Sequence, residues 1–232
     1  GAMLVTVWGL RLTYNFARRG GYTTMEDYRW PILRKRIGRP ILWQLFNLLF
    51  ISGYQILLFV LFTLPLYRLL LFSGDASWAT IALAGVLFLV VLAYEAIADQ
   101  QQWTFQNLKH GLASEVPAWF GSDADERRRA LESDCERGFL THGLFRFSRH
   151  PNYFGELAVW WVLYFYSCAV TGSFVHWSGA GALLLTLLFA GSTAFTESIS
   201  SSRYPEYEAY QATTSPIVPW PPARPATQEQ VD

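Results

Sequence analysis

Residues 143–156 read Gly-Leu-Phe-Arg-Phe-Ser-Arg-His-Pro-Asn-Tyr-Phe-Gly-Glu, which brings guanidinium, imidazole, amide, phenol and carboxylate groups together immediately before a long apolar run. Pro151 disfavours helical geometry at His150 and suits a first helical turn, so the sequence predicts a helix opening at Pro151 or Asn152. The first N–H groups of such a helix lack intrahelical partners and attract anions. Arg146, Arg149 and His150 stand just upstream, so the stretch is suited to hold a phosphate or pyrophosphate at a membrane surface. Asn152 and Glu156 are one helical turn apart and share a face. A second reading stands beside this one: Arg146 and Arg149 are anchors facing lipid headgroups, with Glu156 as their counter-charge.

A further polar group precedes it in the chain. Glu95, Asp99 and Gln102 fall at i, i+4 and i+7 and therefore line one face of a helix. A carboxylate at a membrane boundary is costly when it faces lipid, so Glu95 and Asp99 are expected to share a polar cavity with Asn152 and Glu156. The chemistry there is either hydrogen bonding to a ligand's sugar hydroxyls or carboxamide, or structural pairing with arginines of the same layer.

The elements that must position these groups follow from the distribution of charge. The chain is 52% hydrophobic and 17% aromatic, which is high for a soluble protein. No Asp, Glu, Lys or Arg occurs in 41–67, 76–94, 157–175 or 177–196, and each interval is long enough to cross a hydrocarbon core of roughly 30 Å as a helix. The expected fold is all-α: a polytopic transmembrane helix bundle with about four full spanning helices plus a partial N-terminal helix, occupying residues 1–215 and followed by a Pro-rich, partly disordered tail at 216–232.

In chain order, 2–16 reads as the end of a helix whose beginning is missing, with Arg11 inside it and no signal-peptide pattern around it. Residues 18–39 are basic and are expected in the cytoplasm. A span at 41–63 is expected to close at Pro65, with Arg68 and Asp75 in the following link. Further spans are expected at 78–98, 152–171 and 178–197, and the charge run 123–129 as a solvated helix or loop. Every Lys and Arg except Arg11 and Arg68 falls in the segments 18–39, 99–150 and 198–232, which this topology puts on the inside of an integral multi-pass membrane protein. Cys135 and Cys168 give no disulfide framework, and His110, His142, His150 and His176 show no paired ligand spacing, so no metal is expected.

Five segments together carry a likeness: Trp8-Gly-Leu-Arg-Leu12, Glu26-Asp-Tyr-Arg-Trp30, Asp99-Gln-Gln-Gln-Trp-Thr-Phe105, the 143–156 stretch, and Tyr204-Pro-Glu-Tyr-Glu-Ala-Tyr210 leading to Pro219-Trp220. In these the chain resembles the steroid 5-alpha-reductase-like membrane proteins, and more closely their branch of unknown function. The resemblance implies NADPH bound from the cytoplasmic side, with hydride delivered to an activated C=C bond of a lipid-like substrate. Asp99, Arg149, His150, Asn152, Tyr153 and Glu156 carry over as cofactor-site candidates beside Arg146, with Tyr204 and Tyr210 near the same face. The implied partners are membrane lipid and a hydrophobic small-molecule substrate, without nucleic acid. Two departures matter. Ser200-Ser-Ser202 stands where steroid reductases are rich in histidine, and the relatives carry further N-terminal helices, so a piece of a longer protein is expected. The Arg-His-Pro string is shared with isoprenylcysteine carboxyl methyltransferases, which keeps an S-adenosylmethionine-dependent enzyme open as an alternative, alongside a non-catalytic lipid-binding protein.

Overall fold

The computed structural model describes residues 2–23, 26–72, 76–112, 116–117, 120 and 123–223. Its helices are α1 (Ala2–Arg18), α2 (Arg29–Ile37), α3 (Pro40–Phe46), α4 (Gln55–Phe72), α5 (Trp78–Lys109), α6 (Ala124–Arg137), α7 (Pro151–Thr171), α8 (Ala180–Arg203) and α9 (Tyr207–Thr213). Short 3₁₀ turns at Gly143–Arg146 and Trp177–Gly179 precede α7 and α8, and no strand occurs among the described residues. Four stretches are long and apolar enough to cross a membrane: Pro40–Phe72, Trp78–Lys109, Pro151–Thr171 and Trp177–Arg203. They overlap the four uncharged intervals, and α1 is the shorter N-terminal helix the sequence predicts. This is a helical, multi-pass membrane-type protein.

Two boundaries depart from the sequence reading. Pro65 does not close its span, because α3 continues through a π-helical stretch, Asn47–Tyr54, into α4, which runs past Pro65 to Phe72. Arg68 is thereby inside a helix instead of in a link, whereas Asp75 lies outside the described residues. The other departure is α5, which continues to Lys109 and at 32 residues measures about 48 Å, longer than the hydrocarbon core. Its polar end carries Asp99, Gln101 and Lys109 on helical backbone, so the helical face expected for Glu95, Asp99 and Gln102 continues to Lys109.

The chain divides into two compact units. The first comprises Gly1–Leu92 and Leu157–Phe189. Trp160, 1% exposed, is its centre: the Trp8 ring meets it edge-on at 4.9 Å and the Phe62 ring lies at 4.0 Å. Pro65 has no N–H and so leaves the carbonyl of Leu61 without its usual helical donor. Gly181 of α8 comes against this point, where an added Cβ would sit 2.3 Å from the Leu61 carbonyl carbon and 2.6 Å from its oxygen. Only a residue without a side chain allows that approach, and neighbouring helices of this kind let a membrane helix tolerate proline. In the π-helical stretch, a Cβ on Gly53 would lie 3.1 Å from the Leu48 carbonyl five residues back, the spacing that π geometry brings together. Trp43, Phe46, Phe50 and Tyr54 stack in succession along this run, at 5.0–5.7 Å between neighbouring rings.

The second unit comprises Ala93–Glu156 and Ala190–Asp232, and its described part ends at residue 223. It has an apolar cluster of Phe105, Leu131, Leu140 and Phe145 and another of Phe139, Tyr207 and Tyr210. Helix α6 starts at Asp123, whose carboxylate accepts from the Glu126 N–H at 2.8 Å, and ends at Gly138 with φ of +93°. The charge run is solvated as expected, but the same helix turns Leu131 and Asp134 fully inward.

Candidate functional site

All the site residues predicted from sequence fall in the second unit, around the start of α7. Pro151 is the first residue of that helix, as its ring geometry requires. The N–H groups of Tyr153 and Phe154 both donate to the His150 carbonyl, at 3.1 and 3.2 Å. The end therefore offers fewer open donors than a helix start usually does. His150 N–H donates to Pro216 O at 3.1 Å, Arg149 N–H to Ser215 O at 2.8 Å, and Trp220 N–H to Phe147 O at 2.9 Å. Residues 215–220 thus run along the 147–150 segment as a backbone-paired strap, while 224–232 lie outside the described residues.

Arg149 is the hub of this layer. Its Nε and Nη2 donate to Oε1 and Oε2 of Glu197 at 2.7 and 2.9 Å, a bidentate pair with side chains only 8% and 9% exposed. Its Nη1 donates to the carbonyls of Gln211 and Thr214. Glu197 also takes His150 Nε2 at 3.0 Å and Gln211 Nε2 at 2.9 Å. The Arg149 fork is therefore spent on protein partners, and it ties α7, α8 and α9 to the strap. The His150 ring stacks on Tyr153 with centroids 4.9 Å apart and 17° between planes. Arg146, on the 3₁₀ turn, is exposed.

A second polar layer joins α5 to α7. Asn152 Nδ2 donates to Oδ1 of the buried Asp99 at 3.4 Å. Glu95, one turn back on α5, is 3% exposed and packs beside Gly155, where an added Cβ would meet the Glu95 side chain at 2.5 Å. Glu95, Asp99 and Asn152 thus come together as the sequence predicts, with Gly155 against Glu95, while Glu156, expected in the same cavity, is half-buried one turn beyond Asn152. Gln101, 2% exposed, accepts from the Leu144 N–H at 2.9 Å and so fixes the start of the 3₁₀ turn. Gly143 there has φ of +67°, and a Cβ on it would lie 2.5 Å from the Gln101 amide.

Sequence reasoning missed three groups that hold this site. Glu197 carried a usable signal, a carboxylate at the end of an uncharged run, the same signal that singled out Glu95. Asp134 carried none, since it sits among solvated charges; yet it is fully buried and accepts from Arg137 Nη2 at 2.5 Å, Thr141 N–H at 2.8 Å and Thr141 Oγ1 at 2.8 Å, with His142 Nδ1 also 2.8 Å away. Lys109 closes the far end of α5 by donating to Gly138 O at 2.7 Å and to the Tyr204 hydroxyl at 3.0 Å. Tyr204 and Tyr210 act here as packing groups. Tyr210 donates to Phe145 O at 2.5 Å, and burial pushes its phenol well above the ordinary tyrosine value.

A family model described as "Protein of unknown function (DUF1295)" matches residues 2–214, nearly the whole chain. The chain belongs to the DUF1295 family. The match spans both units and takes in Arg149, Asn152 and Glu197 together. Among curated proteins, an uncharacterized protein of Schizosaccharomyces pombe is 36% identical over 216 residues, which are 90% of this chain and 60% of that protein. The chain thus spans about three-fifths of the length of the curated relative it matches. No solved structure matches it.

Proposed function

We propose that this DUF1295 protein is a membrane-embedded, NADPH-dependent reductase-like protein acting on a hydrophobic, lipid-like substrate. The observation that carries the reading is the meeting of the buried Asp99 carboxylate with the Asn152 amide at the polar ends of α5 and α7. Asn152 uses one N–H on Asp99, which leaves its other N–H and its carbonyl to recognise a group with both donors and acceptors. A ribose hydroxyl pair or a carboxamide is such a group, and Asp99 accepts from hydroxyls. The residue likeness to steroid 5-alpha-reductase-like proteins supports the same assignment.

When bound, the nicotinamide would supply hydride to an activated C=C bond. What the chain's own residues do is hold and orient it. Arg146, exposed beside the start of α7, is the cation able to meet a phosphate, whereas Arg149 and His150 position that helix through Glu197. Tyr153, stacked on His150, presents an aromatic surface next to Asn152, and Glu156 adds a carboxylate on the Asn152 face. Exclusion of water from such a layer would strengthen each of these polar contacts.

The test is thermal unfolding of the purified protein in detergent with NADPH, NADH or S-adenosylmethionine. A ligand that binds only the folded state stabilises it by about 2.7 kcal/mol at a hundredfold excess over its dissociation constant. Stabilisation by NADPH and not by S-adenosylmethionine is expected. The reverse would make the protein a methyltransferase, and no response to any of the three would leave a non-catalytic lipid-binding protein.

A further inference from the structure

Arg68 stands apart from the other cations of the chain. The helical run Pro40–Phe72 begins directly after the basic Arg34, Lys35, Arg36 and Arg39, and Arg68 lies near its other end. At 1.5 Å per residue it is about 40 Å from Pro40, so the run's hydrocarbon-spanning part separates Arg68 from the basic segment. It is also buried, at 7% exposure, in the first unit. A cation so placed in a membrane helix needs an anion or acceptors for its donors.

Among the described residues, the neighbours supply little of either. Arg68 Nη2 donates to the Thr171 hydroxyl at 2.6 Å, while Nη1 is buried with no hydrogen-bond partner among the described residues. Thr171, the last residue of α7, already donates to Ser167 O at 2.8 Å, so its oxygen acts toward Arg68 only as an acceptor. The 3₁₀ turn Trp177–Gly179 packs on α4, with His176 just before it. Burial first, and then the charge of Arg68, lower its imidazole below the ordinary histidine value. The C-terminal dipoles of α4 and α7 soften the charge but place no acceptor on Nη1. Around this polar point the surface is apolar: Tyr67, Leu70, Leu71, Phe174 and Trp177 are all exposed.

We propose that Arg68, held in place by the Thr171 hydroxyl, receives an oxyanion carried by a lipid, the phosphate of an anionic phospholipid or the carboxylate of a fatty acid. Guanidinium binds such oxyanions through paired N–H donors, and Nη1 with Nη2 offers that pair once the head group enters. The exposed Tyr67, Leu70 and Leu71 give the acyl chains an apolar surface along the same helix. The site belongs to the first unit and does not depend on the cofactor reading of the second.

The test compares thermal unfolding of the purified protein in detergent with dioleoyl phosphatidylglycerol, dioleoyl phosphatidylcholine, oleate or inorganic phosphate, together with native mass spectrometry for retained lipid. Phosphatidylglycerol or oleate is expected to raise the midpoint more than phosphatidylcholine of the same chains, with one lipid retained per chain. Arg68→Leu should lose this selectivity, and Arg68→Gln, which keeps similar reach without charge, should lose it as well if the leucine variant does not fold. An equal shift by inorganic phosphate alone, itself lost in Arg68→Gln, would overturn the lipid as its source. An anionic-lipid shift unchanged in either variant would overturn the site and move lipid recognition to the basic segments.

Discussion

Arg149 and Glu197, 48 residues apart, meet as a bidentate ion pair whose two side chains are each less than a tenth exposed. The pair gathers the start of α7, α8 and the Gln211 and Thr214 carbonyls at the end of α9 into one layer, so its loss should be felt across the second unit. Glu197→Gln keeps the shape but leaves a buried guanidinium without its anion, a change expected to cost about 3–5 kcal/mol. Arg149→Lys should cost less, since a single ammonium keeps the charge and loses the fork. Thermal unfolding measures both. Limited proteolysis should show cleavage within 214–223 in Glu197→Gln before the remainder of the chain is cut; equal resistance of variant and parent would count against the tether.

Gly181 makes a second expectation. Its Cα lies so close to the Leu61 and Phe62 backbone that Ala must push two helices apart. Overpacking of this kind costs typically 1–3 kcal/mol. Gly181→Ala should lower the unfolding midpoint accordingly. Gly9→Ala, with open space around its Cβ position, should leave it nearly unchanged.

Within the proposed cofactor site, Asn152→Ala should weaken NADPH binding about tenfold, the equivalent of one net hydrogen bond of roughly 1.4 kcal/mol. Its one long bond to Asp99 means that stability without ligand should change little. Titration calorimetry gives the first quantity and thermal unfolding the second. Unaltered affinity in Asn152→Ala would remove the assignment.

The two cysteines should differ sharply in reactivity. Cys168 is fully buried, while Cys135 on α6 is partly accessible with its thiol pushed above the ordinary value, by burial first and then by the Asp134 carboxylate. The thiolate is the reactive form, so a raised pKa means less of it near pH 8 and a rate that climbs about tenfold per pH unit until that pKa is passed. Maleimide labelling of intact vesicles should mark Cys135 alone, slowly at neutral pH, and from the cytoplasmic face where the basic 99–150 segment is expected. Labelling from the opposite face would invert the topology.

Much of this molecule is legible in its residues one segment at a time. The four spans follow from uncharged intervals because lipid gives backbone polar groups no partner outside a helix. The start of α7 follows from Pro151, and the meeting of Glu95, Asp99 and Asn152 follows from helical spacing and the cost of a carboxylate in lipid. Tertiary structure alone decided which donors remained for chemistry. Arg149 is indistinguishable from Arg146 in the sequence, yet one is consumed by Glu197 and the carbonyls of Gln211 and Thr214 while the other is exposed. Pro65 looked like a helix end, yet the helix runs through it where Gly181 of α8 packs on the Leu61 backbone, and 216–220 looked like a loose tail until backbone bonds to 147–150 held it. In each case the deciding partner lies tens of residues away, where no local propensity or periodicity reaches and only the packed chain brings the groups within hydrogen-bond distance.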